Sequence, residues 1–221
     1  MRRRSFTAQY LEPSEILGEI LFGLIMVLTF TLGAGLVVQE GEDAVREMLV
    51  AVVSCNVAWG LIDAGMYIMT SLFDRSRDVR LWSAVKKAGG EAQALSLIDE
   101  WLEPQLGGVA SPAARARLSA DMLVQLRGAE PAAAKVTRAD LMGAAASFWL
   151  VFLSVIPAIA PFLLLDSRHL ALRVSNGLLL GLLFLVGFRW AAYTNGRPWI
   201  TGLAMLATGG VLVAVAIALG G

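Results

Sequence analysis

The uncharged run ASFWLVFLSVIPAIAPFLLL, at positions 146–165, decides the class of fold to which this chain belongs. The hydrocarbon core of a bilayer is about 30 Å thick, and about 20 mainly apolar residues cross it as a helix. The whole chain has the same character, because 57% of its 221 residues are hydrophobic and 16% are charged. An ordinary soluble domain is about 45–50% apolar and about 25% charged. The sequence therefore predicts an integral membrane protein.

Further apolar stretches on both sides of this run are also long enough to cross a bilayer. None alternates in the manner of a membrane β-strand, so the spans are predicted to be helical. We expect an all-α membrane protein with five transmembrane helices, at about 16–38, 48–71, 141–165, 170–192 and 198–219. The chain then divides into an N-terminus (1–15), helices 1–2 (16–72), a small helical insert (73–139) and helices 3–5 (140–221).

The basic residues predict the orientation of these helices. With the N-terminus in the cytosol, fifteen of the 18 Lys and Arg residues fall on the cytosolic side and only Arg46, Arg168 and Arg173 on the other. This is the positive-inside pattern. We therefore expect a cytosolic N-terminus and insert, an external C-terminus, and a location in a bacterial plasma (inner) membrane.

The first span resembles a signal peptide in having Arg2–Arg4 before it. Its apolar run begins late and is too long, contains Glu19, and precedes no small-residue cleavage site. We expect it to remain in the protein as a transmembrane helix.

The insert shows three helical patterns. The first runs from about Arg77 to Ala88 and stops at a Gly-Gly pair, and the second covers about Glu91 to Leu102. The third opens at Ser111-Pro112, an N-cap followed by a proline at the first helical position. Three short helices cannot bury a large core, so we expect the insert to pack on the membrane domain or on a second copy of itself.

Asp63 is the clearest functional candidate, because a carboxylate at membrane depth is costly unless it faces a cavity or a partner. Its helical face also carries polar and soft side chains, namely Asn56, Trp59, Met66, Tyr67 and Thr70. Carboxylate, amide and thioether groups on one face point to a cation contact. The alternative is a buried polar residue that fixes helix packing through one hydrogen bond.

Glu15 and Glu19 lie one turn apart in the first span, and Met26 shares the face of Glu19. Two carboxylates at the cytosolic mouth can collect a cation or exchange protons. The alternative is that they reach toward the interface or pair with nearby arginines. Thioethers are soft ligands, although most methionines in membranes fill packing gaps. The candidate metal contacts are Asp63, Glu19, Asn56, Met26, Met66 and Glu15.

Small and helix-breaking residues predict how the later spans pack. Pro157 and Pro161 are expected to kink the third span and free carbonyl groups, which favours a helix that faces protein or water. Gly177 and Gly181 form a GxxxG spacing, which is typical of close helix crossings but frequent by chance. Asn176 is expected to form a hydrogen bond between helices.

Several functional classes find no support in the sequence. It contains no P-loop, dinucleotide-binding glycine motif, nucleophile elbow or metalloprotease motif. A single cysteine, Cys55, and a single histidine, His169, exclude a disulfide framework or a multi-histidine site within one chain. We predict that the protein is not an enzyme, holds no covalently bound cofactor and binds no nucleic acid; its expected partners are the lipid bilayer, a metal ion and a second copy.

The chain resembles the vacuolar iron transporter family. The resemblance is carried by LGEILFGLIMVLTFTLGAGL (17–36), ASFWLVFLSVIPAIAPFLLL (146–165), RVSNGLLLGLLFLVGFRW (173–190) and GLAMLATGGVLVAVAIALG (202–220). Members of this family have five spans, a cytosolic N-terminus and a cytosolic helical insert between spans two and three. The resemblance implies the same fold.

The departures from the family concern its chemistry. Where the family carries Asn-Asp-Gly in the first span, this chain reads Ile25-Met26-Val27, and the family's Gly-Glu-Tyr stretch becomes Gly65-Met66-Tyr67. Asp63 lies three residues before the missing glutamate and is a candidate to replace it. The family's insert collects glutamates that bind iron, whereas Asp99, Glu100 and Glu103 form only a thin acidic cluster that is typical of a solvated helix face.

Together these patterns favour a homodimeric transporter of a divalent cation, iron(II) or manganese(II), in exchange for protons. Two other classes stay open. The chain is alternatively a membrane scaffold that keeps the fold without transport, or a channel for protons or monovalent cations.

Overall fold

The computed structural model describes residues 6–37, 42–128 and 133–218, and every regular element in these ranges is an α-helix. Arg2–Arg4, which contribute to the predicted orientation, and the end of the predicted fifth span lie outside the described residues. The helices, in chain order, are α1 (Thr7–Tyr10), α2 (Pro13–Val37), α3 (Glu42–Lys87), α4 (Glu91–Leu106), α5 (Pro112–Gly128), α6 (Arg138–Leu153), α7 (Ile156–Leu164), α8 (Arg168–Thr194) and α9 (Pro198–Ala218).

Four helical segments of the described chain are long and apolar enough to cross a membrane. They are Pro13–Thr31, Val45–Lys87, Arg138–Leu164 and Arg168–Thr194. The predicted fifth span coincides with α9, in which Pro198–Leu212 is a shorter apolar helix. The all-helical, membrane-protein character of the chain is thus supported, while the count of five spans stays a prediction.

The helix that contains the second predicted span, 48–71, does not end at residue 71. It continues without a break into the first predicted helix of the insert, so that α3 is a single helix of 46 residues. The reason is local: no glycine or proline occurs between Met66 and Ala88, and the helix stops at the pair Gly89-Gly90. The predicted boundary between residues 72 and 73 therefore lies inside a helix.

The chain forms two compact units. One contains the described residues up to Tyr67 together with those from Arg138 onward, and the other contains Ile68–Thr137. In the first unit α2 packs against α6, α8 and α9. Its core is built from aliphatic side chains of four helices, among them Leu24, Leu28, Val52, Leu179 and Leu183.

The third predicted span is interrupted where its prolines begin. Helix α6 ends at Leu153 and α7 begins at Ile156, with Pro157 in its first turn. A proline nitrogen has no hydrogen to donate to the carbonyl four residues earlier, which here belongs to Leu153. The amide of Ser154 contacts the carbonyls of Leu150 and Val151 in the tighter turn that results.

Helices α8 and α9 cross closely at glycines other than the predicted GxxxG pair. A Cβ added at Gly187 would lie 2.6 Å from the Thr201 carbonyl oxygen, and one at Gly209 would lie 2.6 Å from a methyl group of Leu183. By contrast, a Cβ at Gly177 or Gly181 would meet nothing within 4 Å. The GxxxG spacing is thus not used for packing within the described protomer.

The turn between α8 and α9 is as short as the sequence predicts. It is made by Asn195, Gly196 and Arg197, and Asn195 adopts a left-handed conformation with φ of 52°. Asparagine is one of the few residues other than glycine that adopts this conformation readily.

The second unit has its own small core. Val85, Ala94, Ile98, Leu102 and Leu123 are buried together in it, from α3, α4 and α5. The Trp82 indole nitrogen donates to the carbonyl of Leu126 over 2.7 Å. Helix α4 extends to Leu106 rather than stopping before Pro104, because a proline in the last turn removes only one backbone hydrogen bond.

Candidate functional site

The side chains of Glu19 and Asp63 meet between α2 and α3. They lie within hydrogen-bonding reach of each other. One turn after Glu19 on α2 and one turn before Asp63 on α3, the rings of Phe22 and Trp59 pack edge to face with centroids 5.4 Å apart. These two contacts show that α2 and α3 run antiparallel here, and they bring together two residues that the sequence singled out independently.

A third helix contributes to this pair. The Ser147 hydroxyl of α6 donates a hydrogen bond to Glu19 Oε1 over 2.7 Å. Ser147 is fully buried. Glu19 is therefore held from one side by a hydroxyl donor and faces Asp63 on another. We refer to Glu19, Asp63 and Ser147 as the carboxylate site.

The carboxylate site places two acidic side chains next to each other. An ionised carboxylate only accepts hydrogen bonds, and two of them side by side repel unless they share a proton or bind a cation. The Asp63 Oδ2 atom is buried and has no hydrogen-bond partner among the described residues. Chemically, the site is suited to hold either a proton or a cation.

Asn56 lies two turns before Asp63 on α3 and is fully buried. Its Nδ2 atom donates to the Val52 carbonyl over 3.1 Å, while its Oδ1 atom has no hydrogen-bond partner among the described residues. The antiparallel register of α2 and α3 brings the half-buried Met26 to the same level. An amide oxygen and a thioether thus lie deeper along the same helix pair, separate from the carboxylate site.

The other two candidate metal contacts flank the pair, and Glu15 is close enough to Glu19 to interact with it electrostatically. Glu15 is exposed, and its Oε2 atom accepts a hydrogen bond of 2.7 Å from the backbone N–H of Glu12. This interaction caps the start of α2, where a carboxylate is also favoured by the helix dipole. Met66 is 55% exposed. The structure therefore brings Glu19 and Asp63 together and leaves Glu15 and Met66 outside the pair.

Tyr67 lies one turn beyond Asp63 on α3. Its hydroxyl donates to the carbonyl of Tyr10 over 2.9 Å. Its ring packs directly on Gly143 of α6, so that a Cβ at this position would collide with the ring. Tyr67 thereby joins α1, α3 and α6 around the two carboxylates.

Ser147 is the site residue that the sequence analysis did not single out. A weak signal for it exists, because Gly143, Ser147 and Ser154 recur at helical spacing on one face of an otherwise apolar run. Small and hydroxyl residues on one face indicate where another helix approaches. They do not indicate which of them meets a charge.

The acidic residues of the insert that the structure describes form no metal cluster. The Oδ1 atom of Asp99 pairs with Nε of Arg115 at 3.1 Å. Within the described residues, no group of three or more His, Cys, Asp or Glu side chains is placed to hold a metal ion. One chain therefore offers a pair of carboxylates and not a complete ligand cage.

Comparisons with known proteins add no assignment to this geometry. No protein-family model matches the chain, and no curated protein matches it.

Proposed function

We propose that the chain is a membrane transporter of a divalent cation of the iron(II) or manganese(II) type, working in exchange for protons, and a divergent relative of the vacuolar iron transporters. The contact between Glu19 and Asp63, with Ser147 bound to Glu19, is the observation that supports this most strongly. The proposal includes five spans in a bacterial plasma (inner) membrane, with the N-terminus and insert in the cytosol and the C-terminus outside.

The position of the two carboxylates supports transport of a cation. Both lie inside helical segments of membrane-spanning length and apolarity. Ionisable residues in such segments are expensive and typically mark a pathway for ions or protons. Oxygen donors suit manganese(II) and other hard divalent ions. The Met26 thioether and the Asn56 amide, deeper along the same helices, would offer a further contact on the way.

Exchange for protons follows from the same pair. In the absence of a cation, a proton shared between Glu19 and Asp63 relieves their repulsion. A divalent cation bound to both carboxylates would displace that proton, because both groups must be ionised to bind it. Cation and proton would thus compete for one site, which is the minimum requirement for coupled exchange.

A homodimer would complete the coordination. Mn²⁺ and similar hard divalent ions favour six oxygen ligands, more than one carboxylate site supplies. Several apolar residues of α3 close to Asp63 are exposed in the protomer, including Ile62 (49%), Met66 (55%) and Met69 (65%). If a second copy covers this surface, the carboxylate pairs of two protomers approach one axis.

The experiment that tests the proposal is titration calorimetry of the detergent-purified protein with Mn²⁺ and, under anaerobic conditions, Fe²⁺. We expect saturable binding that Asp63→Asn abolishes and that the matched control Glu15→Gln leaves intact. Repeating the titration in buffers of different ionisation enthalpy measures the released protons. Absence of saturable binding by the wild type would reject the metal site.

The second candidate function is a membrane scaffold on the same fold. It is favoured by Met26 and Met66, which stand where the resemblance leads one to expect carboxylates. A scaffold would bind none of the divalent ions in the calorimeter. A channel for protons or monovalent cations, the remaining alternative, would carry a current in a bilayer without any divalent ion.

A further inference from the structure

A groove of about 400 Å³ opens between α2, α8 and the junction of α6 and α7. Its walls are almost entirely apolar, and they include Leu17, Leu24, Leu153, Pro157, Leu182 and Leu185. It lies on a different face of α2 from the carboxylate site, since Leu17 and Leu24 line it while Glu19 points to α3 and α6. The groove is thus separate from the carboxylate site.

One charged residue, Arg189, lines the groove at one end. It follows Leu182 by two helical turns on α8, about 10 Å along the helix axis. Among the described residues it has no hydrogen-bond or ion-pair partner, and no acidic residue lines the groove. An exposed arginine beside an apolar groove is complementary to an amphiphile with an anionic head.

The direction of α2 and α8 shows which end of the groove holds Arg189. Thr31 Oγ1 and Asn176 Oδ1 are 3.2 Å apart, whereas the groove is lined by earlier residues of α2 and later residues of α8. The two helices therefore run antiparallel, and Leu17 lies at the Arg189 end. This end is near the start of α2 and the end of α8. Under the positive-inside distribution it faces the cytosolic leaflet. Arg189 is therefore at the level where lipid phosphates of that leaflet lie.

We propose that the groove binds an acidic phospholipid of the cytosolic leaflet, with an acyl chain along the apolar walls and the phosphate on the Arg189 guanidinium. Guanidinium groups pair with phosphate through charge-assisted, often bidentate hydrogen bonds. Basic pockets between membrane helices on the cytosolic side are suited to acidic lipid headgroups. The inference rests on the membrane location and orientation proposed above and not on cation transport.

The test is native mass spectrometry of the full chain extracted from bilayers that contain equal amounts of phosphatidylglycerol and phosphatidylcholine. Wild type should retain phosphatidylglycerol with a preference of about fivefold, the effect of one basic residue near an anionic headgroup. Arg189→Gln should lose the preference, and Arg189→Lys should keep most of it. Leu185→Trp, which fills the groove, should lower the amount of both lipids that stays bound.

The matched control is Arg173→Gln, which removes an exposed arginine near the other end of α8. It should leave the preference for phosphatidylglycerol unchanged. Equal preference in wild type and Arg189→Gln, or an equal loss in Arg173→Gln, would overturn the proposal, as would undiminished lipid retention in Leu185→Trp. Because the readout is bound lipid, a failure here is distinguishable from a failure of the transport proposal.

Discussion

The Ser147 hydroxyl donates a hydrogen bond of 2.7 Å to Glu19 Oε1, and this contact ties α6 to the carboxylate pair of α2 and α3. Ser147 is fully buried, so no water replaces its hydroxyl without rearrangement. The bond fixes the direction in which the other oxygen of Glu19 points. Ser147 is accordingly a positioning residue of the carboxylate site.

Ser147→Ala should destabilise the protein by about 1–3 kcal/mol, because the Glu19 oxygen loses its buried donor. Thermal unfolding in detergent measures this effect. Ser154→Ala is the matched control: its hydroxyl donates to the carbonyl of Val151, three residues earlier, over 2.6 Å. We expect the control to change stability much less. An equal loss of stability in the two variants would show that the hydrogen bond from Ser147 to Glu19 contributes no more than the bond that Ser154 makes to the backbone.

Gly143→Ala should also destabilise the first compact unit, by about 1–3 kcal/mol. The added methyl group collides with the Tyr67 ring, whose hydroxyl is anchored on the Tyr10 carbonyl. Gly181→Ala, in open space on α8, is the control and should leave the melting temperature unchanged or raise it, since alanine favours helix. A stable Gly143→Ala protein would mean that Tyr67 does not pack on α6 in this way.

In the insert, Leu123→Ala should cost about 2–5 kcal/mol, because Leu123 is buried in the small core of this unit. Its neighbour Val124 is 74% exposed, so Val124→Ala is a control at almost the same place in the chain. Hydrogen exchange of α4 and α5 in the full chain provides the measurement. We expect faster exchange in Leu123→Ala alone, and similar exchange in both variants would contradict the described core.

The proposed orientation predicts which loops react from which side. In a Cys55→Ser background, Asn195→Cys, at the exposed turn after α8, should react with an impermeant thiol reagent only from the cytosolic face. Asp166→Cys, at the exposed turn between α7 and α8, should react only from the outside. The reverse pattern would show that the protein has the opposite orientation. Reaction of both positions from the same side would show that α8, which lies between them, does not cross the membrane.

Much of this arrangement was predictable from sequence because it depends on local chemistry. The apolar runs predict helices α2, α6 with α7, α8 and α9. Pro157 predicts the interruption of the third span, and the short gap between the fourth and fifth predicted spans predicts the last turn. The helix that contains the second predicted span is longer than that span. Hydropathy falls near residue 72, but helix propensity does not, so α3 continues to Lys87.

The candidate site was predictable only in part. Glu19 and Asp63 stand out individually because each is a charge in an apolar run. That they meet depends on the register of two helices, which one sequence does not specify. Ser147 was missed since a serine in an apolar helix is more often bonded to its own backbone, as Ser154 is. Gly177 and Gly181 show the opposite case. Their spacing is typical of helix packing, but a Cβ at either glycine would meet no other helix in the described protomer.

The central claim is that Glu19 and Asp63 form a pathway site for a divalent cation, and Mn²⁺ flux into proteoliposomes tests it most directly. Loss of a mere outer partner of a metal ligand costs about 10–100-fold in affinity, so loss of a ligand itself should matter at least as much. We predict saturable wild-type flux that falls by at least about tenfold in Asp63→Asn and Glu19→Gln and persists in Glu15→Gln. Wild-type flux that is unchanged in Asp63→Asn, or no flux at all, would contradict the account.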